Sequence, residues 1–156
     1  MHFEPRRLVR LLTLIAAQSA LWFAPGIQDV VAQPAAAPSG VRIDQAWIRW
    51  LPAGVPGGAY LTLSNSSEQA VIIVGASSPT YADIMLHRTI HRGGNVEMVP
   101  AERIVIAAHA TLDFAATGYH FMLMDPVKPV KPGDTVPLTL HFADGTSLAI
   151  PFEVRR

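Results

Sequence analysis

TVPLTLHF at residues 135–142, ADG at 143–145 and SLAIPFEV at 147–154 form the stretch that decides the fold. Leu138, Leu140 and Phe142 alternate with polar or small neighbours. Side chains at i and i+2 of a strand share a face, so this alternation marks strands with one face in a core. Ala143-Asp144-Gly145 between the two runs has turn chemistry, and the whole reads as a β-hairpin.

Further strands lie on the N-terminal side. Asp83 to Thr89 and Asn95 to Val99 flank Gly93-Gly94, a second hairpin tip. Val41 to Trp50 alternates, with Val41, Ile43, Ala46 and Ile48 expected to face inward. Ala59 to Leu63, Ala70 to Val74, Ile104 to Ile106, Thr111 to Phe114 and Tyr119 to Met124 are short β-prone runs. A breaker-rich loop at 52–58 and a polar turn at 64–68 separate some of them. Most of the 13 prolines and 11 glycines lie between runs, and no 3.6-residue pattern supports long helices. An all-β fold is expected, an antiparallel sandwich or barrel forming one domain over residues 41–154.

Composition narrows the function. Half the residues are apolar and 15% charged, which excludes a disordered chain. The formal charge is zero, so no basic field attracts phosphate backbones and nucleic acid is not an expected partner. With no cysteine, thiolate zinc sites, disulfides, a cysteine nucleophile and a lipid-modified cysteine are all excluded among these residues.

At the N-terminus, Arg6, Arg7 and Arg10 precede an apolar run from Leu11 to Phe23, and Val30-Val31-Ala32 comes after it. That layout predicts a secretory signal peptide over 1–32, cleaved after Ala32, with no membrane span afterwards. The Arg6-Arg7 pair leaves Sec and Tat export both open. Residues 33–40 (QPAAAPSG) read as a flexible linker.

The chemistry lies in methionine and histidine. Apart from Met1, every methionine stands in a group with two histidines: Met85, His87, Met98, His120, Met122 and Met124. On strands, Met85 and His87 share one face, and His120, Met122 and Met124 share another. Thioethers are soft, neutral donors that select Cu(I) over hard dications. Such ligands also escape the disulfide oxidation that thiolates suffer outside the cytoplasm. Metal-ligating imidazole must be neutral, so affinity is expected to fall below a pH of about 6.5. On spacing alone, a second reading stays open: methionine is a common core filler, and this face could be a second buried one.

The interval His87, ten residues, Met98, twenty-one residues, His120, one residue, Met122 resembles the H-x10-M-x21-H-x-M signature of the PCu(A)C family of periplasmic copper chaperones. AWIR (46–49), GGAYLTL (57–63), GASSP (75–79), GYHFMLM (118–124) and GDTVPLTL (133–140) are similar as well. The resemblance covers residues 41–154. It implies a cupredoxin-like Greek-key β-sandwich, and one Cu(I) per chain on His87, Met98, His120 and Met122. It also implies a periplasmic carrier rather than an enzyme. The implied acceptor is the CuA site of cytochrome c oxidase or a Sco-type thioredoxin-like assembly protein. A monomer is expected. The chain departs from the family after the first histidine, where Arg88, Thr89, Ile90 and His91 replace acidic or methionine residues. It ends at Glu153-Val154-Arg155-Arg156, so no His/Met-rich tail holding more copper is expected. Met85 and Met124 stand on the faces of His87 and His120 and are read as packing residues, with a spare-ligand role left open for each, and His91 is read as a solvated turn residue. His109 and His141 fall outside the signature, the latter at a surface or edge. Trp47, Trp50 and Tyr60 are read as core or loop anchors, one of which could shield the site.

Overall fold

The computed structural model describes residues 37–52 and 54–156. The expected signal peptide and residues 33–36 of the expected linker lie outside the described residues. Ten strands succeed one another: β1 (Val41–Arg49), β2 (Gly57–Asn65), β3 (Val71–Ser77), β4 (Tyr81–Arg92), β5 (Asn95–Pro100), β6 (Ile104–Ile106), β7 (Thr111–Asp113), β8 (Tyr119–Pro126), β9 (Thr135–Phe142) and β10 (Ser147–Arg155). The described residues contain no helix.

Hydrogen bonds link the strands along the path β5-β4-β8-β2-β1-β10-β9-β3-β6, with β7 paired to β2. The path folds back on itself and brings β3 against β4. Leu86, Phe121 and Leu123 from one half and Ile73, Leu138, Leu140 and Phe152 from the other belong to one buried cluster. The result is a two-layer, cupredoxin-like β-sandwich, as alternating strands with one apolar face require. One pairing departs from the wholly antiparallel expectation: β1 runs parallel to β10, from Trp47↔Glu153 to Arg49↔Arg155. Alternation reports which face is buried and carries no information on strand direction, so it does not reveal this pair.

Two local features shape the face on which the histidines and methionines lie. Gly93 and Gly94 have φ of 58° and 82°. They form the two-residue turn, suited to glycine, that closes β4 onto β5 between Arg92 and Asn95. In β1 the register shifts between Asp44 and Trp47, and Gln45 sits at φ 52°. One extra residue there inverts the alternation. Val41 and Ile43 pack on the core before the bulge, Ala46 and Ile48 after it. Trp47 is thereby turned to the outer face, where it pairs with Tyr60. At the end of the linker segment, the Gly40 carbonyl accepts hydrogen bonds from the Ser66 amide and hydroxyl at 2.9 and 3.0 Å, tying this point to the domain.

Candidate metal centre

On β4 and β8 the core takes Leu86, Phe121 and Leu123, so the intervening residues face outward. The antiparallel register sets His87 directly opposite His120 and Met85 directly opposite Met122. The imidazoles meet edge to face, with centroids 5.9 Å apart and planes at 86°. Met98, on β5, is opposite Thr89 and therefore diagonal to His87. His87, His120 and Met122 are thus gathered, with Met98 one strand further out.

Burial is graded across this face. His120 and His87 are only 3% and 8% exposed, whereas Met98 is 56% exposed. The loop before β8 is tied to β4 by Thr89 and reaches His120 through a carbonyl. Thr89 donates its amide to the Gly118 carbonyl at 3.0 Å and its hydroxyl to the Ala116 carbonyl at 2.7 Å. The Gly118 carbonyl also lies 3.2 Å from His120 Nδ1. A carbonyl has no proton to give, so Nδ1 carries the hydrogen and Nε2 keeps its lone pair for another partner. A backbone carbonyl orienting a ligating histidine is the usual outer support of a metal site.

His87 is the unusual one. Its Nδ1 is buried and has no hydrogen-bond partner. Leaving a buried polar atom unsatisfied costs on the order of 1–3 kcal/mol, so such atoms call for an explanation. Burial, and next the nearby His120, hold the His87 imidazole below its ordinary pKa of about 6.5. At neutral pH it presents an unprotonated nitrogen lone pair with no proton to displace. That donor set fits a soft monocation. A hard dication would seek carboxylates, and among the described residues no three His, Cys, Asp or Glu side chains gather for one.

An aromatic wall borders the imidazoles. The Tyr60 ring centroid lies 6.4 Å from that of His120, and Trp47 packs against Tyr60 with centroids 4.7 Å apart and planes tilted by 40°. Gly58, opposite Met122 in the register, leaves the space that Tyr60 fills: a Cβ there would collide with its hydroxyl and ring. Trp47 and Tyr60 thus border the site rather than merely anchoring a loop, and the bulge in β1 is what brings Trp47 to this wall. Trp50 is a loop anchor, donating its indole N–H to the Val130 carbonyl at 2.8 Å.

The remaining candidates separate. Met85 is 42% exposed on the face of His87, as alternation places it, and not among the core residues with Leu86. Met124 is half-buried, opposite Asp83, and lines a separate groove of about 500 Å³ with Trp50, Tyr81 and Val130. His91 is exposed on β4, opposite Val96, rather than in a turn, because β4 runs on to Arg92. His109 meets Glu68 at 3.1 Å and His141 meets the Ser77 hydroxyl at 2.8 Å, both remote from the motif.

Comparison with known proteins agrees with this architecture. Residues 41–154 match the family described as "Putative lipoprotein LpqE-like". A protein of Leifsonia xyli subsp. xyli named "Putative lipoprotein Lxx21020" is 31% identical over 117 residues, covering 74% of this chain and 70% of that protein. Among solved structures, Cu(I)-bound DR1885 from Deinococcus radiodurans is 34% identical with a TM-score of 0.60, over 84% of this chain and 86% of that one. The copper-bound PCuAC domain of PmoF2 shares the fold at 19% identity and a TM-score of 0.63, over 79% of this chain and 98% of that domain. None of the 156 residues of this chain is cysteine, so none of them can carry a lipid through a cysteine sulfur. With a PCuAC-like sandwich and a family match across the whole folded region, the chain belongs to the LpqE-like family.

Proposed function

We propose that this chain is a copper carrier of the cell envelope. It holds one Cu(I) through His87, His120, Met122 and Met98 and passes it to an acceptor protein. The observation that carries the reading is the facing pair His87 and His120, one with an orphaned buried nitrogen and the other with Nε2 left free. Copper here is cargo. Four neutral donors add no charge, so the complex keeps the single charge of the ion. The likeness to Cu(I)-bound DR1885 supports the choice of metal and oxidation state. The lipoprotein names of the relatives and the expected leader support export, to the periplasm.

The gradient of burial supports carriage over storage. The imidazoles hold the ion from beneath, while exposed Met98 is free to leave it. An acceptor's ligand replaces that thioether first, and the others follow singly. The CuA site of cytochrome c oxidase, or a Sco-type thioredoxin-like assembly protein, is the acceptor we propose, with the carrier acting as a monomer. Catalysis is not part of the reading. Blue-copper electron-transfer centres need a cysteine thiolate, and these residues have none.

Titration of residues 33–156 with Cu(I) against a chromophoric chelator tests this, beside a His120→Ala/Met122→Ala variant. One tight equivalent, lost in the variant, is expected. Equal binding by both, or none by the wild type, removes the reading.

A further inference from the structure

The register makes one methionine more central to the site than its sequence position indicates. Met85 and His87 on β4 face Met122 and His120 on β8 as two directly opposed pairs. Opposed strand residues lie about 5 Å apart at Cβ, and i and i+2 about 7 Å apart along a strand. These four side chains therefore occupy the corners of one compact rectangle on the outer face. Met98 is the outlier. It pairs with Thr89 on the far side of β4, so it lies two strand spacings, about 10 Å, across from Met122. It is also four residues, about 13 Å, displaced along the strand direction.

Packing does not account for Met85. Its neighbour Leu86 fills the core at 6% exposure, while Met85 itself is 42% exposed on the face of the imidazoles. A thioether at this corner stands directly opposite Met122 and two residues along β4 from His87, whose Nδ1 is orphaned.

We propose that Met85 is a fifth donor of the copper site, exchanging with Met98 for one coordination position. The proposal rests on the copper reading above. In the exchange the Cu–S bond to Met98 breaks and a Cu–S bond to Met85 forms. His87, His120 and Met122 stay bound, and neither an electron nor a proton moves. The ion thus remains four-coordinate when Met98, the outermost arm, is drawn away. Copper is kept on the protein until an acceptor ligand has engaged it, and Met85 sets how readily it then leaves.

The test uses purified protein carrying 13C-methyl methionine, titrated anaerobically with Cu(I). Wild type, Met85→Leu, Met98→Leu and the double variant are compared, and each Cu(I) affinity is measured by chelator competition. Leucine conserves volume, and the amide spectrum reports that the fold is intact. The Met85 methyl is expected to shift on loading, and to shift further in Met98→Leu, which still binds one equivalent. If the two thioethers cover for each other, the double variant loses affinity beyond the product of the single losses, by about tenfold. A Met85 methyl that stays still in both wild type and Met98→Leu overturns the proposal while leaving the copper reading intact. Absence of any Cu(I)-dependent shift, with no measurable affinity, removes the copper reading and the proposal with it.

Discussion

Along β9 and β10 every second side chain enters the core: Val136, Leu138, Leu140 and Phe142, then Ile150, Phe152 and Val154. The residues between them, such as Thr135, Pro137, Ala149 and Glu153, are exposed and share no chemistry. Along β4 and β8 the same alternation sends Leu86, Phe121 and Leu123 inward. Here, however, the outward residues include two almost wholly buried imidazoles flanked by thioethers. One pair of strands uses its outer face as solvent boundary. The other buries two imidazoles on its outer face, one of them beside Tyr60, and tolerates an unsatisfied nitrogen there. Stability and binding are therefore carried by opposite faces of the same strands, and substitutions can separate them.

The largest effects test whether the two regions share one core. Phe121 and Phe152 are both fully buried, and Phe121 also stacks on Phe114 with centroids 5.2 Å apart. Alanine at either is expected to lower unfolding free energy by about 3–5 kcal/mol in urea titrations. Only Phe121→Ala, which loosens β8, should also weaken Cu(I) binding. Equal losses of affinity would show that the site is not local to β4 and β8.

Gly58→Ala sharpens the same contrast. The new methyl meets the Tyr60 ring, so overpacking of about 1–3 kcal/mol is expected. Because Trp47 packs against Tyr60, its fluorescence should shift as the wall is displaced, and copper affinity should drop. An unchanged Trp47 emission would show that the wall accommodates the methyl elsewhere.

His87→Leu should move stability and binding in opposite directions. It removes the orphaned nitrogen, and relief of about 1 kcal/mol is expected in the metal-free protein. Copper binding should be lost. Destabilisation on thermal unfolding would mean that Nδ1 has a partner after all.

The smallest effect is on pH. His87 takes its proton at lower pH in the folded than in the unfolded chain. Above about pH 6.5 both states are neutral there and its contribution is complete. As pH falls below that value the unfolded chain gains the proton first, so stability declines until the folded imidazole is also protonated. Proton competition with copper at His87 should likewise begin below about 6.5, not at the unperturbed value that its residue type predicts. Nuclear magnetic resonance titration of the His87 ring checks the sign, and a midpoint at or above about 6.5 would contradict it.

All ten strand segments are legible in the sequence, because alternation and turn residues are local signals. What alternation cannot carry is long-range. That His87 faces His120 is a pairing across 33 positions, set by how β4 and β8 meet rather than by either strand alone. The bulge at Gln45 shows as an irregular inward pattern, Val41 and Ile43 against Ala46 and Ile48. Its effect on Trp47 emerges only once β1 is paired with β2. For Met85, alternation gives the face it shares with His87, while the sequence leaves packing and metal contact both open there. Its exposure depends on what covers that face, and strand periodicity is silent on it.

X-ray absorption at the copper edge of the Cu(I)-loaded protein tests the central claim most directly. Mixed imidazole-nitrogen and thioether-sulfur ligation is expected, with sulfur diminished in Met122→Leu. Ligation by nitrogen and oxygen alone, unchanged in that variant, would contradict a copper site of two histidines and two methionines.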